Sequence, residues 1–334
     1  MRPKVLHLIS ASEFGGIQSA LSSLLSSPLI NDFEFHIKTI DLKHYPLTHY
    51  EADIICLHHA LSWQYLPKIL LLKLRNFHTP ILYQEHHYCD GFVKHQVSRP
   101  KRFFLMLKLS YGIIDTVIAV SHSQAQWMNQ HHLIPPKKLF VLQQGTKLNR
   151  FVTLPTKKAG ETYVIGSYGR LHKQKGFDIL IEAIKLIPNE NIELKIAGSG
   201  ELEHMLKKLA SSLTNIQFVG ASDNIPAFLN ECDVIIIPSR WEPFGLVFQE
   251  AMAAGKPILH SGVDGLNEQS TLLDKNQNEA IFELTAESIA QAILHSIKSP
   301  LNTLTSEQRL QMRKKSDETV SQWKNLLNAF KDNN

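Results

Sequence analysis

Arg240-Trp-Glu-Pro-Phe-Gly-Leu-Val-Phe-Gln-Glu-Ala-Met-Ala-Ala-Gly-Lys-Pro-Ile258 directly follows the apolar run Val234 to Ile237 and Pro238-Ser239. The run reads as a buried strand ending at Pro238-Ser239. The quoted stretch reads as a loop carrying Glu242, then a helix from near Gly245, with Glu250 about one and a half turns inside it. In an open α/β sheet, ligands bind outside the carboxyl ends of the strands, where this loop falls. Gly245 and Leu246 would present backbone N–H groups at a helix N-terminus, a ready site for a phosphate. Glu250 suits a vicinal diol such as ribose, which would donate two hydrogen bonds to it. Glu242, earlier in the loop, would reach the group beyond the phosphates.

Working outward, a second anion site reads from Gly166-Ser-Tyr-Gly-Arg-Leu-His-Lys-Gln-Lys-Gly176. It follows a strand and opens a helix whose Phe177, Leu180, Ile181, Ile184 and Ile187 keep one apolar face. Arg170 and Lys175 would supply two cations at that strand end, enough to neutralise a diphosphate without a metal ion. The sequence contains no Asp-x-Asp, the usual carboxylate pair that holds a divalent metal on a nucleotide sugar. A third piece, Phe14-Gly15-Gly16-Ile17, follows the first strand, and its glycines let the backbone approach a ligand closely.

Short β-branched runs alternate with helical patterns throughout, the mark of β-α-β units and parallel sheets. Strands are expected at 5–9, 35–40, 53–57, 80–83, 115–120 and 138–142. A second set falls at 163–167, 193–197, 217–219, 234–237 and 257–259. Residues 152–161 break the alternation and read as a connector. The predicted organisation is α/β, with two doubly wound parallel-sheet domains at 1–152 and 153–308 facing across a cleft. A final polar helix over Ser306–Phe330, closing the chain in a third segment at 309–334, rests on Leu310, Trp323, Leu326, Leu327 and Phe330.

A length of 334 residues suits about two domains. With 43% hydrophobic and 20% charged residues, the chain is neither a long disordered nor a fibrous one. Apolar runs such as Ile69 to Leu72 fall far short of the roughly twenty residues of a membrane span. Met-Arg-Pro-Lys leads into a strand with no small-residue cleavage site, so no signal peptide is expected. Cys56, Cys89 and Cys232 are sparse and unpaired in sequence, which suits a reducing compartment. The net charge of +4 is unevenly spread. Residues 1–152 carry 16 Lys and Arg against 9 Asp and Glu, and 13 of the 17 histidines. That half is expected to meet an acidic partner such as an anionic lipid surface or a phosphorylated substrate.

Together these motifs resemble the family 4 glycosyltransferases of the GT-B fold. The resemblance runs through Gly15-Gly16, Glu85-His86, Ala119-Val120-Ser121 and Gly169-Arg170-Leu171…Lys175-Gly176. It continues through Ala197-Gly198-Ser199-Gly200, Phe218-Val219-Gly220 and Asp233 to Ser239, and ends in Glu242-Pro-Phe-Gly…Glu250-Ala-Met-Ala-Ala-Gly. It implies two Rossmann-like domains, a retaining transfer from a nucleotide-sugar donor, and no metal cofactor. Arg170 and Lys175 would bind the diphosphate, Glu250 the ribose, and Glu242 with Phe244 and Gly245 the transferred sugar, with Leu246 also among the substrate-binding residues. Gly15 and Gly169 would be among the substrate-binding residues, Gly16 would close over the phosphates, His86 would contact the sugar, and the loop from Gly220 to Asp223 would frame the base. It also implies that the final helix crosses back to the N-terminal domain. The chain departs from the family pattern at Gln144-Gly145-Thr146-Lys147 and at Gly262-Val-Asp-Gly265-Leu-Asn-Glu268, which leaves a role for Glu268 open.

Other readings of the same residues are weaker or stay open. Two glutamates near a helix start are favoured by the helix dipole whatever their function. His86, with His87 as the fallback, could simply line a polar cleft, and His86, His87 and Cys89 are too cramped for ordinary zinc ligation. Ala197-Gly-Ser-Gly-Glu-Leu-Glu203 imitates a dinucleotide fingerprint but puts Glu203 where a third glycine belongs. Residues 93–112 read either as a basic amphipathic helix against an anionic membrane or as a core helix with a solvated basic edge. The expected function is transfer of a hexose or N-acetylhexosamine, UDP preferred to GDP, to a glycan or lipid-linked acceptor in surface polysaccharide or lipopolysaccharide synthesis. The expected location is the cytoplasm, with 93–112 against the inner face of the plasma membrane and no nucleic acid as partner. A nucleotide-sugar epimerase or hydrolase of the same fold, and a non-catalytic glycan-binding subunit, are the alternatives.

Overall fold

The computed structural model describes residues 2–10, 16–43, 48–155, 157, 160–188, 190–222, 224–273 and 278–331. It divides into two compact units, Met1–Thr146 with Ser316–Asn334, and Lys147–Lys315.

The first unit holds β1 (Lys4–Ile9), β2 (Glu34–Thr39), β3 (Ile54–Leu57), β4 (Ile81–Glu85), β5 (Thr116–Ala119) and β6 (Leu139–Val141). All pair in parallel in the order β2-β1-β3-β4-β5-β6. Strands β3, β4 and β5 are buried along their whole length, as expected of parallel strands covered on both faces. The strand path reverses between β1 and β3, so the carboxyl end of that pair is this unit's crevice. Helices Leu66–Arg75 and Pro100–Ile113 help cover one core, built around Leu57, Tyr83 and Tyr111. The other core joins Val5, Ile54 and Ile118 to Trp323, Leu326 and Leu327 of the final helix.

The second unit holds β7 (Tyr163–Tyr168), β8 (Ile192–Ala197), β9 (Ile216–Gly220), β10 (Val234–Ile237), β11 (Ile258–His260) and β12 (Glu279–Ile281), in the order β12-β11-β10-β7-β8-β9. All are parallel. Here the path reverses between β7 and β10, and the loops of both anion-site motifs leave the carboxyl ends of those two strands.

The sequence reading needs three adjustments. Strand β12 is additional, a three-residue edge strand without an apolar run. The boundary after residue 152 moves to Thr146, because Leu148 and Phe151 are buried in the second unit's core with Met252. The final helix spans Ser306–Lys331, in agreement with the reading, but its exposed Leu310 is replaced as a core residue by buried Met312. That helix gives Met312 to the second unit's core and Trp323 to the first unit's.

Trp323 is 5% exposed, and its removal leaves a cavity beneath β1. Trp323→Ala is expected to destabilise the protein by about 3–5 kcal/mol, read as a lower urea midpoint for the first unit.

Candidate active site

The site in the second unit is built on close backbone approaches. Gly176 has φ 67°, and a Cβ there would overlap the carbonyl oxygen of Pro238 at the end of β10. Gly198, after β8, has φ 140°, and a Cβ there would overlap the carbonyl of Gly169. Only glycine meets both demands. Further bonds lace the loops together. Leu171 N–H donates to Ser199 O at 2.9 Å, and Arg240 N–H donates to Gln174 O at 2.7 Å. The Arg240 guanidinium grips Asp178 with two bonds of 2.8 and 2.6 Å and also donates to Lys173 O.

This lacing brings the Lys175 ammonium against the Glu242 carboxylate as a largely buried ion pair. The Ser239 hydroxyl donates to the same Glu242 oxygen at 3.1 Å, while Glu242 N–H donates to Asp264 at 3.1 Å. Asp264 itself has φ 45°, rare for a residue with a side chain. Next to it, Gly265 packs against the Phe244 backbone, where a Cβ would overlap the carbonyl oxygen. Arg170 is exposed at the same loop. Burial and then the Arg170 charge hold the His172 imidazole below its ordinary range.

Buried Phe244 precedes Gly245, whose φ of 100° turns the chain into helix Leu246–Ala253. The Gln269 amide donates to the carbonyls of Phe244 and Gly245 at 2.5 and 3.1 Å, fixing the turn. As the first helical residue, Leu246 has an N–H with no intrahelical acceptor. One and a half turns on, Glu250 accepts a 2.8 Å hydrogen bond from the Tyr168 hydroxyl at the end of β7. Burial pushes the Glu250 carboxyl from 4.5 up to about 7, against the opposing pull of Tyr168 and Lys175. Arg170, Lys175, Glu242, Phe244, Gly245, Leu246 and Glu250 therefore all belong to loops or helix starts at the carboxyl end of this sheet. Gly169 (φ 142°) opens the first of these loops, and Gly220 ends β9, its carbonyl accepting from Gly198 N–H at 2.7 Å. Asp223 lies outside the described residues, and Glu268 sits within helix Asp264–Ser270.

His86 and Gly16 belong to the first unit. Gly16 opens helix Gly16–Leu25, while Gly15 and Phe14 lie outside the described residues. His86, itself half-buried, ends a series of rings that runs into the interior. His7 Nδ1 is 2.9 Å from His58 Nε2, His58 Nδ1 is 3.0 Å from His86 Nε2, and the Gln144 amide is 2.5 Å from His86 Nδ1. Burial lowers all three imidazoles, His7 to about 4, so the rings are neutral near pH 7. Each neutral ring carries one N–H, so with the Gln144 amide donating, every proton in the series points toward His7. Both nitrogens of His86 are thus taken by protein partners. His86, Gln144 and Trp323 line a small, partly open pocket in this unit. Its neighbour Glu85 ends β4 as a structural group, accepting from the Tyr111 and Tyr83 hydroxyls and from His87 N–H. Among the described residues, no three His, Cys, Asp or Glu side chains are grouped to hold a metal ion.

Sequence reasoning did not find Tyr168, Ser239, Asp264 or the His7–His58–His86 series. Tyr168 ends a strand whose neighbour across the sheet is set only by the fold. Asp264 stands in the Gly262–Gly265 stretch where the chain departs from the family pattern, and that departure was the available signal.

Comparison with known proteins bears on both units. Residues 154–319 match the family model described as "Glycosyl transferases group 1", and residues 33–150 match "Glycosyltransferase Family 4". A lipopolysaccharide core biosynthesis mannosyltransferase, LpsB of Rhizobium meliloti, is 28% identical over 236 residues, covering 64% of this chain and 61% of its own. In the curated relatives the aligned stretches span 18% to 63% of their own length. Sucrose-phosphate synthase from Thermosynechococcus elongatus superposes with a TM-score of 0.80 at 19% identity, covering 100% of both chains. HepE of Anabaena, solved in complex with UDP and glucose, gives 0.74 at 18% identity, covering 98% of this chain and 100% of its own. These two likenesses establish the GT-B fold.

A carboxyl raised from 4.5 to about 7 holds its proton in the folded state while the unfolded chain releases it. Its burial therefore lowers stability progressively as pH rises through that window. Glu250→Gln keeps an acceptor for Tyr168 and removes the titration. The melting temperature of the variant relative to wild type is expected to rise between pH 5 and pH 8, and an unchanged difference would contradict the assignment.

Proposed function

Because the chain belongs to the family 4-like glycosyltransferases of the GT-B fold, we propose that it transfers a hexose or N-acetylhexosamine from a nucleotide diphosphate sugar, with retention of anomeric configuration. The acceptor is a glycan or lipid-linked precursor in lipopolysaccharide or other surface polysaccharide synthesis, in line with the relative LpsB. UDP is the preferred carrier over GDP, in line with the UDP-bound HepE. The observation that carries this reading is the Lys175–Glu242 pair at the strand-order reversal, flanked by Arg170 and the Tyr168–Glu250 pair.

In this reading the diphosphate takes Lys175 from Glu242 and is held by Lys175, Arg170 and the N–H groups at Gly245-Leu246. Glu242, released, accepts from the sugar hydroxyls, and Glu250 accepts from the two ribose hydroxyls. The acceptor hydroxyl attacks the anomeric carbon on the face that the diphosphate leaves. Its oxygen forms the new glycosidic bond, the bond from carbon to phosphate oxygen breaks, and the hydroxyl proton passes to the departing diphosphate. No protein nucleophile takes part. The main protein contribution is electrostatic stabilisation of the developing negative charge by fixed cations and backbone dipoles, without a metal ion. The three free, buried cysteines fit a cytoplasmic location.

Exposed Arg170 offers the cleaner test, because Lys175→Ala also strips Glu242 of its partner. Either Arg170→Ala or Lys175→Ala is expected to lower turnover by roughly 10²–10³, in line with loss of one oxyanion donor. Turnover by the wild-type protein is expected to persist in EDTA and to require an acceptor. Nucleotide release without acceptor would identify a hydrolase or epimerase instead, and wild-type turnover in Arg170→Ala would remove the diphosphate role.

A further inference from the structure

Helices Leu66–Arg75 and Pro100–Ile113 pack against each other on one side of the first unit. Each buries one stripe in the core, through Ile69 and Leu72 on the first and Met106, Leu107, Ser110 and Tyr111 on the second. The opposite stripes are unusual. Around the first helix, Trp63, Leu70, Leu74 and Phe77 are exposed at helical spacing, Leu74 at 62% and Phe77 at 66%. On the second helix, Leu105 at 51% and Leu109 at 46% are one turn apart. Single exposed apolar residues are ordinary, but four on two neighbouring helices, with Trp63 and Phe77 flanking the first, form a face that marks an interaction site.

The charge around this face has one sign. Residues 54–114 contain eight Lys and Arg but two acids. Of these acids, Glu85 is fully buried and Asp90 is paired with Lys94, while Lys73 of the first helix is paired with Asp115 just beyond this range, so the unneutralised cations are carried mainly by the second helix. Lys101, Arg102 and Lys108 share the exposed stripe with Leu105 and Leu109. The Arg102 guanidinium lies over the Trp63 ring at 5.7 Å, tying the start of the second helix to the loop before the first. The sequence alone placed a basic amphipathic stretch at 93–112. The structure adds the second helix, and with it the aromatic and leucine side chains that reach furthest into solvent.

We infer that this two-helix face docks the protein on a bilayer surface bearing anionic headgroups. The cations meet the phosphates through long aliphatic stems, and Leu70, Leu74, Phe77, Leu105 and Leu109 enter the boundary between headgroups and acyl chains. A nucleic acid would satisfy the cations but give no return for leucines and a phenylalanine exposed at helical spacing. The inference does not depend on the sugar-transfer reading, and its test needs no donor or acceptor.

Co-sedimentation of the full chain is measured with vesicles of phosphatidylcholine alone and of phosphatidylcholine mixed with an equal part of phosphatidylglycerol. The protein is expected to sediment with the mixed vesicles at low salt, to stay soluble with the neutral ones, and to be released as salt is raised. Removing each surface cation weakens partitioning by roughly fivefold, so Lys101→Ala/Arg102→Ala/Lys108→Ala is expected to lose roughly a hundredfold. Leu74→Glu/Phe77→Glu is expected to abolish binding, and both variants should keep the wild-type melting temperature and circular dichroism spectrum. The inference is overturned if wild type ignores the mixed vesicles at low salt, or if Leu74→Glu/Phe77→Glu binds as well as wild type. It is also overturned if the face instead joins two copies, seen as a wild-type dimer that the same variant dissolves without any vesicle binding.

Discussion

The contact between the backbone of Gly176 and the carbonyl of Pro238 governs the second unit's site. It leaves no room for a side chain, and it holds the loop after β7 against the end of β10. Lys175 is thereby delivered to Glu242, and Arg240 to Asp178, although the partners lie more than sixty residues apart in sequence. An ion pair this buried gains little net stability, because desolvation offsets most of the attraction. Its value lies in holding a cation and a carboxylate ready at the point where the sheet opens for a ligand. In the proposed reading, arriving phosphate replaces the carboxylate as partner, so the charge is never left alone.

The two units treat titratable groups in opposite ways. In the second, Arg170, Lys175 and Glu242 keep charge at the mouth of the sheet, and burial poises Glu250 near neutrality. In the first, burial strips charge from His7, His58 and His86 and leaves a neutral hydrogen-bonded series beside a cavity. These three histidines therefore add nothing to the positive balance of that half. It comes from lysines and arginines, half of which fall in residues 54–114, around the outer helices.

Much of the fold was legible because central parallel strands announce themselves. Val234 to Ile237 is apolar throughout and buried throughout. Strand β12 was not legible for the opposite reason. Its Glu279 is buried only because the fold supplies His260 at 3.0 Å and Ser270 at 2.6 Å. Glu242 and Lys175 could be read because each stands inside a local pattern of glycines and a helix start. Tyr168 and Asp264 could not, since their partners come from other strands and loops. In the final helix, polar surroundings made Leu310 and Trp323 look alike, and only packing separates exposed Leu310 from buried Met312 and Trp323. The apolar stripe from Trp63 to Phe77 is similar: periodicity marks a face, but the neighbouring helix decides which face is covered.

A crystal structure with bound UDP tests the account most directly. The pyrophosphate should lie on Arg170 and Lys175, with the Lys175 ammonium drawn off Glu242 and the ribose hydroxyls on Glu250. A pyrophosphate lodged elsewhere, or coordinated to a magnesium ion held by protein carboxylates, would contradict it.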